Sequence, residues 1–430
     1  MHFRLINKSK FIYHIAIIFF LFQLCFIFTT PPFEAPDENH HLNYINFISK
    51  NISLPNQEQT ETLLKGEGHQ NPLYYIIAAG LTRLLLEDNI IDYRLIPNTN
   101  HIWYGGDKYN VPLFVHINVF EKYSDRIVFY MLRIFTALFS LVTVIMFYKT
   151  LLLLENSNNI SILTIILITN IPEFIFISGM INNDSLALMF ISLSVYNFAK
   201  AINNSSDKLS LYLSYLYLAL SVLTKFYALI LFFVFSFYLV FIKTNRNTKI
   251  NITIVASISL FIVIILPLLL WKFIYYENFI RASILETDQN LWALNFQEFL
   301  GQIIFFFQSF FGKFGWANVT LPFYIYGAYL IIWGIILINS IRKIDFSNGM
   351  ILFSIIAIFS LILEIIYFNS YTLQMQGRYF FPALSFISII SYYGIKSISA
   401  KISYRSMNII IIGIYSLTIY SVIWNAIFYR

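Results

Sequence analysis

Acidic and imidazole side chains crowd the string Pro36-Asp37-Glu38-Asn39-His40-His41, just behind the first apolar stretch of the chain. Pro36 and Asp37 suit a helix start, and a helix running on from there brings Asp37 and His41 (i, i+4) and Glu38 and His41 (i, i+3) onto neighbouring faces. Such a group can take a proton from a hydroxyl nucleophile, or hold a divalent metal through Asp37, Glu38 and His41. The same residues also make an ordinary solvated helix start. Five of the seven histidines (His40, His41, His69, His101 and His116) lie in this one polar stretch, an enrichment that points toward proton transfer or metal binding.

Ionisable residues inside apolar runs are costly and face a cavity or each other. Arg133, Glu173, Lys225 and Glu364 are of this kind, and the turn Asn182-Asn183-Asp184 joins them, so a polar pocket at one membrane face is predicted. Snorkelling and pairwise neutralisation are the plainer alternatives. Two further segments, Phe311 to Pro322 with Lys313 and Trp316, and Gln376 to Pro382 with Arg378, each combine glycine with a cation. Glycine lets backbone approach a ligand, either cation can hold phosphate oxygens, and Trp316 can stack on a sugar ring. An interfacial aromatic belt has the same composition.

The elements that must position these residues are membrane spans. The 430 residues are 58% hydrophobic and 12% charged, with a mean hydropathy of +0.69, where a soluble domain carries about 25% charge. Eleven apolar runs of near-spanning length are predicted at 11–30, 126–148, 161–178, 185–199, 210–223, 226–242, 251–271, 322–340, 350–367, 379–395 and 407–427. With the N-terminus inside and 72–86 lying on the membrane surface, the inner segments hold 14 basic and three acidic residues. The positive-inside rule therefore places 31–125 outside as a long first extracytoplasmic loop, with smaller outer loops at 272–321 and 369–378. The expectation is an all-α integral membrane fold of about eleven transmembrane helices, residues 1–430 forming one polytopic domain. The first run follows Arg4, Lys8 and Lys10 and lacks a cleavage site, so it reads as an uncleaved anchor.

Several functions are disfavoured. The net charge of +6 comes from short basic clusters between spans, as in membrane orientation, and nucleic-acid binding is not expected. Cys25 is the only cysteine, which excludes an intrachain disulfide and a cysteine metal site. No phosphate-binding glycine loop is present, and no nucleotide, haem or flavin is expected.

The series Pro36-Asp37-Glu38-x-x-His41, His69-Gln70-x-Pro72-Leu73-Tyr74-Tyr75, Asn183-Asp184, Leu223-Thr224-Lys225, Phe311-Gly312-Lys313-Phe314-Gly315-Trp316 and Gln376-Gly377-Arg378-Tyr379 resembles a bacterial polytopic membrane family catalogued as domain of unknown function 2142. That family is similar to the GT-C glycosyltransferases. The resemblance covers nearly the whole chain; Asn71 stands where the family has a first proline.

The resemblance implies an acidic pair at Asp37 and Glu38 in the first outer loop, with His41, His69 and Asp184 in support. It implies a donor phosphate held by Arg378, Lys225 and Lys313, with which Arg133 is grouped as a span-end cation. A transferase acting outside the cytoplasm needs an already flipped, activated sugar, so a polyprenyl-phosphate-linked donor, a cell-envelope glycan or lipid acceptor and an inverting displacement are expected. A divalent metal is left open. The rival readings are a flippase for a lipid-linked glycan, which would favour inverted repeats, and an O-antigen-type polymerase or ligase, whose large loop comes later in the chain.

Overall fold

The computed structural model describes residues 11–64, 66–155, 157–204, 206–243, 252–276 and 290–430. Five basic residues used for orientation (Arg4, Lys8, Lys10, Arg246 and Lys249) and part of the 272–321 loop lie outside the described residues.

Sixteen α-helices are described. The first five are α1 (Phe11–Thr29), α2 (Glu38–Asn51), α3 (Gln57–Thr62), α4 (Leu73–Leu85) and α5 (Tyr123–Glu155). Then come α6 (Asn158–Thr169), α7 (Pro172–Ser178), α8 (Asp184–Asn203), α9 (Lys208–Thr224), α10 (Leu229–Phe237) and α11 (Ile252–Tyr275). The last five are α12 (Phe296–Phe311), α13 (Phe323–Ile341), α14 (Gly349–Asn369), α15 (Leu384–Ser399) and α16 (Tyr404–Phe428). Two small antiparallel ribbons pair β1 (Ile96–Pro97) with β2 (Phe114–Val115) and β3 (Lys313–Phe314) with β4 (Val319–Thr320).

By length and composition eight described helical stretches can cross a membrane: α1, α5, α8, α11, α13, α14, the Gly377–Ser399 stretch that ends in α15, and α16. The chain is a multi-pass membrane protein. The run expected as one span at 161–178 is instead two helices, α6 and α7, bent by 71°. Pro172 opens α7 and drives Ile171 out of helical geometry (ψ 109), which explains the break. The runs at 210–223 and 226–242 fall on shorter apolar helices. The second contains a three-residue 3-10 turn, then α10, then a π-helical end at Tyr238–Lys243.

At 13 residues α4 is about 20 Å long, short of a hydrocarbon core of roughly 30 Å. Its buried face, Tyr74, Tyr75, Ala78, Ala79 and Thr82, packs on α2, with Tyr44 and Tyr75 stacked at 4.1 Å. These helices, the β1–β2 ribbon and the start of α5 share a buried apolar cluster separate from the large core between the spans. The long polar stretch is therefore a packed cap seated on the bundle. Sequence periodicity also left α12 unrecognised: it begins with a capping box at Asn295 and Glu298 and leaves Phe296, Leu300, Ile303 and Ile304 exposed, as an interfacial helix does.

Candidate functional site

The chain leaves α1 at Thr30 and meets Pro31 and Pro32, which cannot prolong the helix. Arg133 on α5 collects the freed carbonyls of Ile27, Thr30 and Pro31 at 2.9, 2.7 and 3.0 Å and grips Glu38 through Nε (2.8 Å) and Nη2 (2.6 Å). Glu38 also accepts the Phe33 and Ile181 N–H groups. Both side chains are fully buried. All five Arg133 donors are thereby used, leaving none for a phosphate, and Glu38 is turned away from Asp37 and His41.

Asp37 precedes α2 with a left-handed backbone (φ 61), so its carboxylate diverges from its neighbour's. It meets Arg378, whose Nη2 donates to Oδ2 at 2.7 Å. Arg378 is aimed by Gly377, which lies against α12 so closely that a Cβ would come within 2.2 Å of the Phe310 nitrogen. The Gly377 N–H is fixed to Ser309 Oγ at 2.8 Å. Arg378 is nearly buried and its Nε has no protein partner, while Asp37 is 31% exposed, so the pair is reached from the surface through its carboxylate.

Asp184, at the start of α8, accepts from Lys225 Nζ at 2.6 Å, where the chain extends between α9 and the next 3-10 turn. Asn183 reaches the Thr224 carbonyl at 3.2 Å. Asp184, Lys225 and Arg378 all act electrostatically on His41, as does Asp37, so the structure brings these five residues together. Burial is the largest influence on Asp37 and raises its pKa, but the charge of Arg378 and its hydrogen bond work against it, and the carboxyl lies below its ordinary value. Burial pushes His41 and His69 down to about 3, so both imidazoles are neutral at pH 7. His69 meets the rest of the structure through its carbonyl, which takes Lys272 Nζ at 2.8 Å.

Two other predicted residues sit further out. The Lys313 ammonium stands over the Phe305 ring at 4.4 Å, while the Lys313 backbone N–H donates to Glu173, which lies within electrostatic reach of Arg378. Trp316 donates Nε1–H to the Phe33 carbonyl at 3.0 Å and packs edge-on against His40 and Trp103. Among the described residues no group of three or more His, Cys, Asp or Glu side chains is placed to hold a metal ion.

Sequence reasoning missed Tyr75 and Glu67. Tyr75 Oη lies 2.8 Å from His41 Nδ1 and donates to Glu67 Oε2 at 3.4 Å. The signal was Gly66-Glu67-Gly68: Gly66 has φ +100, and a Cβ on Gly68 would meet that of Leu64 at 2.7 Å, so this turn holds the acid inward. Burial, then the neighbouring Asp37 charge, raise Glu67 to about 8, against the pull of Lys225 and Arg378. Folded protein thus keeps a proton that the unfolded chain releases above about 4.5, and Glu67 costs stability as pH climbs from about 4.5 through about 8. The melting temperature of Glu67→Gln should match that of the wild type near pH 4.5 and exceed it above pH 8. A constant difference across that range would show that Glu67 does not titrate in the folded state.

Comparison with known proteins extends this picture. Residues 101–282 match the family described as dolichyl-phosphate-mannose-protein mannosyltransferase; the match takes in Asp184 and Lys225 and leaves out Asp37 and Arg378. The ArnT structure from Cupriavidus metallidurans, bound to undecaprenyl phosphate, aligns over 93% of this chain with a TM-score of 0.53 at 10% identity. The chain shares the fold of that structure. The S. cerevisiae protein O-mannosyltransferase Pmt1-Pmt2 complex, bound to the sugar donor, aligns over 67% of the chain at 15% identity with a TM-score of 0.42. The chain spans 61% of the ArnT chain and 35% of the Pmt chain. No curated protein matches it by sequence.

Proposed function

We propose that the chain is an inverting membrane glycosyltransferase that moves a sugar from a polyprenyl-phosphate carrier to a cell-envelope glycan or lipid acceptor on the extracytoplasmic face, and that it belongs to the bacterial family whose motif series it carries. The observation that supports this reading best is the Asp37–Arg378 pair at 2.7 Å, its carboxylate partly exposed, with Asp184–Lys225 beside it. It offers a carboxylate base next to cations suited to a phosphate. The carrier phosphate bound in ArnT, whose fold this chain shares, supports a donor of that class.

The acceptor hydroxyl attacks the anomeric carbon, Asp37 takes its proton, and the bond from that carbon to the phosphate oxygen breaks with the electron pair leaving on polyprenyl phosphate. Arg378 and Lys225 stabilise the departing charge. In the resting site Arg378 keeps Asp37 a weak base. A donor phosphate competes for the guanidinium, and burial then raises the carboxyl toward the range in which it accepts a proton. His41 and Asp184 position the two pairs. Glu38 and Arg133 are left out of the chemistry because each satisfies the other.

Purified protein given a polyprenyl-phosphate sugar should form product, and given the matching nucleotide sugar should form none. Equal transfer from the nucleotide sugar would overturn the lipid-donor assignment.

A further inference from the structure

The turn between β1 and β2 carries aromatic side chains that none of the chemistry above uses. It is held by short backbone contacts: the Ile102 N–H donates to the Lys108 carbonyl at 2.9 Å, the Lys108 N–H to that of Asn100 at 3.1 Å, and the Gly106 N–H to that of His101 at 3.0 Å. A Cβ on Gly106 would stand 2.1 Å from the Asn100 oxygen, so only glycine permits this closure. From the other side Asn318, in the β3–β4 turn, donates to the Val111 carbonyl at 2.7 Å.

On this rigid frame Trp103, Tyr104 and Tyr109 are 52%, 40% and 39% exposed, which is a large apolar area left uncovered on a segment with little freedom to bury it. Exposed Asp107, Lys108 and Asn110 are interleaved with the rings and supply hydrogen-bonding groups at the edges. An aromatic face attracts the polarised C–H groups of a sugar ring, and a preorganised platform spends little entropy in doing so. The platform is continuous with the candidate site. Trp103 packs edge-on against Trp316 at 5.8 Å, Trp316 against His40 at 6.5 Å, and His40 lies within electrostatic reach of Asp37.

We propose that Trp103 and Tyr109, whose rings flank that of His101 at 5.4 and 5.8 Å, form an acceptor subsite that stacks on a saccharide chain, which makes the acceptor a glycan and not a simple lipid alcohol. The assignment rests on the transferase reading for its role but not for its test. Anchoring of the turn in lipid would also expose Trp103 and Ile102, yet the interleaved Asp107 and Lys108 favour water over acyl chains.

The full chain in nanodiscs is mixed with chitotetraose and, separately, maltotetraose, and saturation transfer from protein to sugar protons is measured by NMR. Transfer should reach at least one of the two, fall about five-fold in Trp103→Ala and persist in Trp103→Tyr. It should also persist in Asp37→Asn, because binding needs no turnover; a failed transferase reading and a failed subsite are thereby distinguished. Absence of transfer to both oligosaccharides, or equal transfer in Trp103→Ala, overturns the subsite. So does quenching by bromine-labelled acyl chains that disappears in Trp103→Ala, which would make the turn a membrane anchor.

Discussion

Asp37→Asn should lower sugar transfer by roughly 10²- to 10⁴-fold while leaving the protein folded, because asparagine keeps the shape and the contact to Arg378 but cannot accept a proton. The melting temperature should change little, since Asp37 is partly exposed and its partner stays hydrogen-bonded. Arg378→Ala should act differently, raising KM for the donor as well as lowering kcat, because it removes phosphate binding and frees Asp37 to adopt a higher pKa. If the donor phosphate displaces Arg378 from Asp37, the acidic limb of kcat, which reports the donor complex, should lie at higher pH than that of kcat/KM, which reports the free enzyme. Coincident limbs would refute the displacement. Full activity in Asp37→Asn would remove the base altogether and with it the transferase mechanism.

Much of the scaffold was legible in advance because apolar length is a property of sequence alone. Each of the eleven apolar runs falls on helical structure, although two fall on helices shorter than a span, and the sharpest departure, the bend at Pro172, has its cause in the sequence too. The amphipathic pattern of α12 is also present in the sequence, within the stretch expected as an outer loop. Partner choice was a different matter. Asp37 and Glu38 are adjacent and look like one acidic pair, yet successive residues at a helix start point about 100° apart, at 3.6 residues per turn. Asp37 finds Arg378 at a separation of 341 residues and Glu38 finds Arg133 at 95. Nothing local distinguishes the two carboxylates. Nor does local pattern reveal that the stretch from 31 to 125 folds into a cap with its own buried cluster, which puts Glu67 and Tyr75 against His41. Glu34 was missed for the same reason: it is fully buried and takes the N–H groups of Leu113 and Phe114 and the ring of His116, pinning the β1–β2 region to the end of α1.

That division of labour between neighbouring carboxylates gives the second large effect. Arg133→Met should destabilise the protein by about 3–5 kcal/mol, because it leaves Glu38 buried without its counter-charge and strips three carbonyls at the end of α1 of their donor. Glu38→Gln should cost less, since a neutral amide oxygen can still accept the Phe33 or Ile181 N–H. The double variant should be more stable than the sum of the two losses implies, because removing the charge from both partners removes the uncompensated ion; a coupling of about 0.5–3 kcal/mol is expected for residues in direct contact. Thermal unfolding of the purified protein, followed by loss of the monodisperse peak on size-exclusion chromatography, reads all three. Activity separates this from a direct role in binding. Arg133→Met should leave KM for the donor near its wild-type value in whatever fraction stays folded, whereas a phosphate ligand would raise it. An unchanged melting temperature together with a raised donor KM would return Arg133 to the phosphate site and Glu38 to the acidic pair.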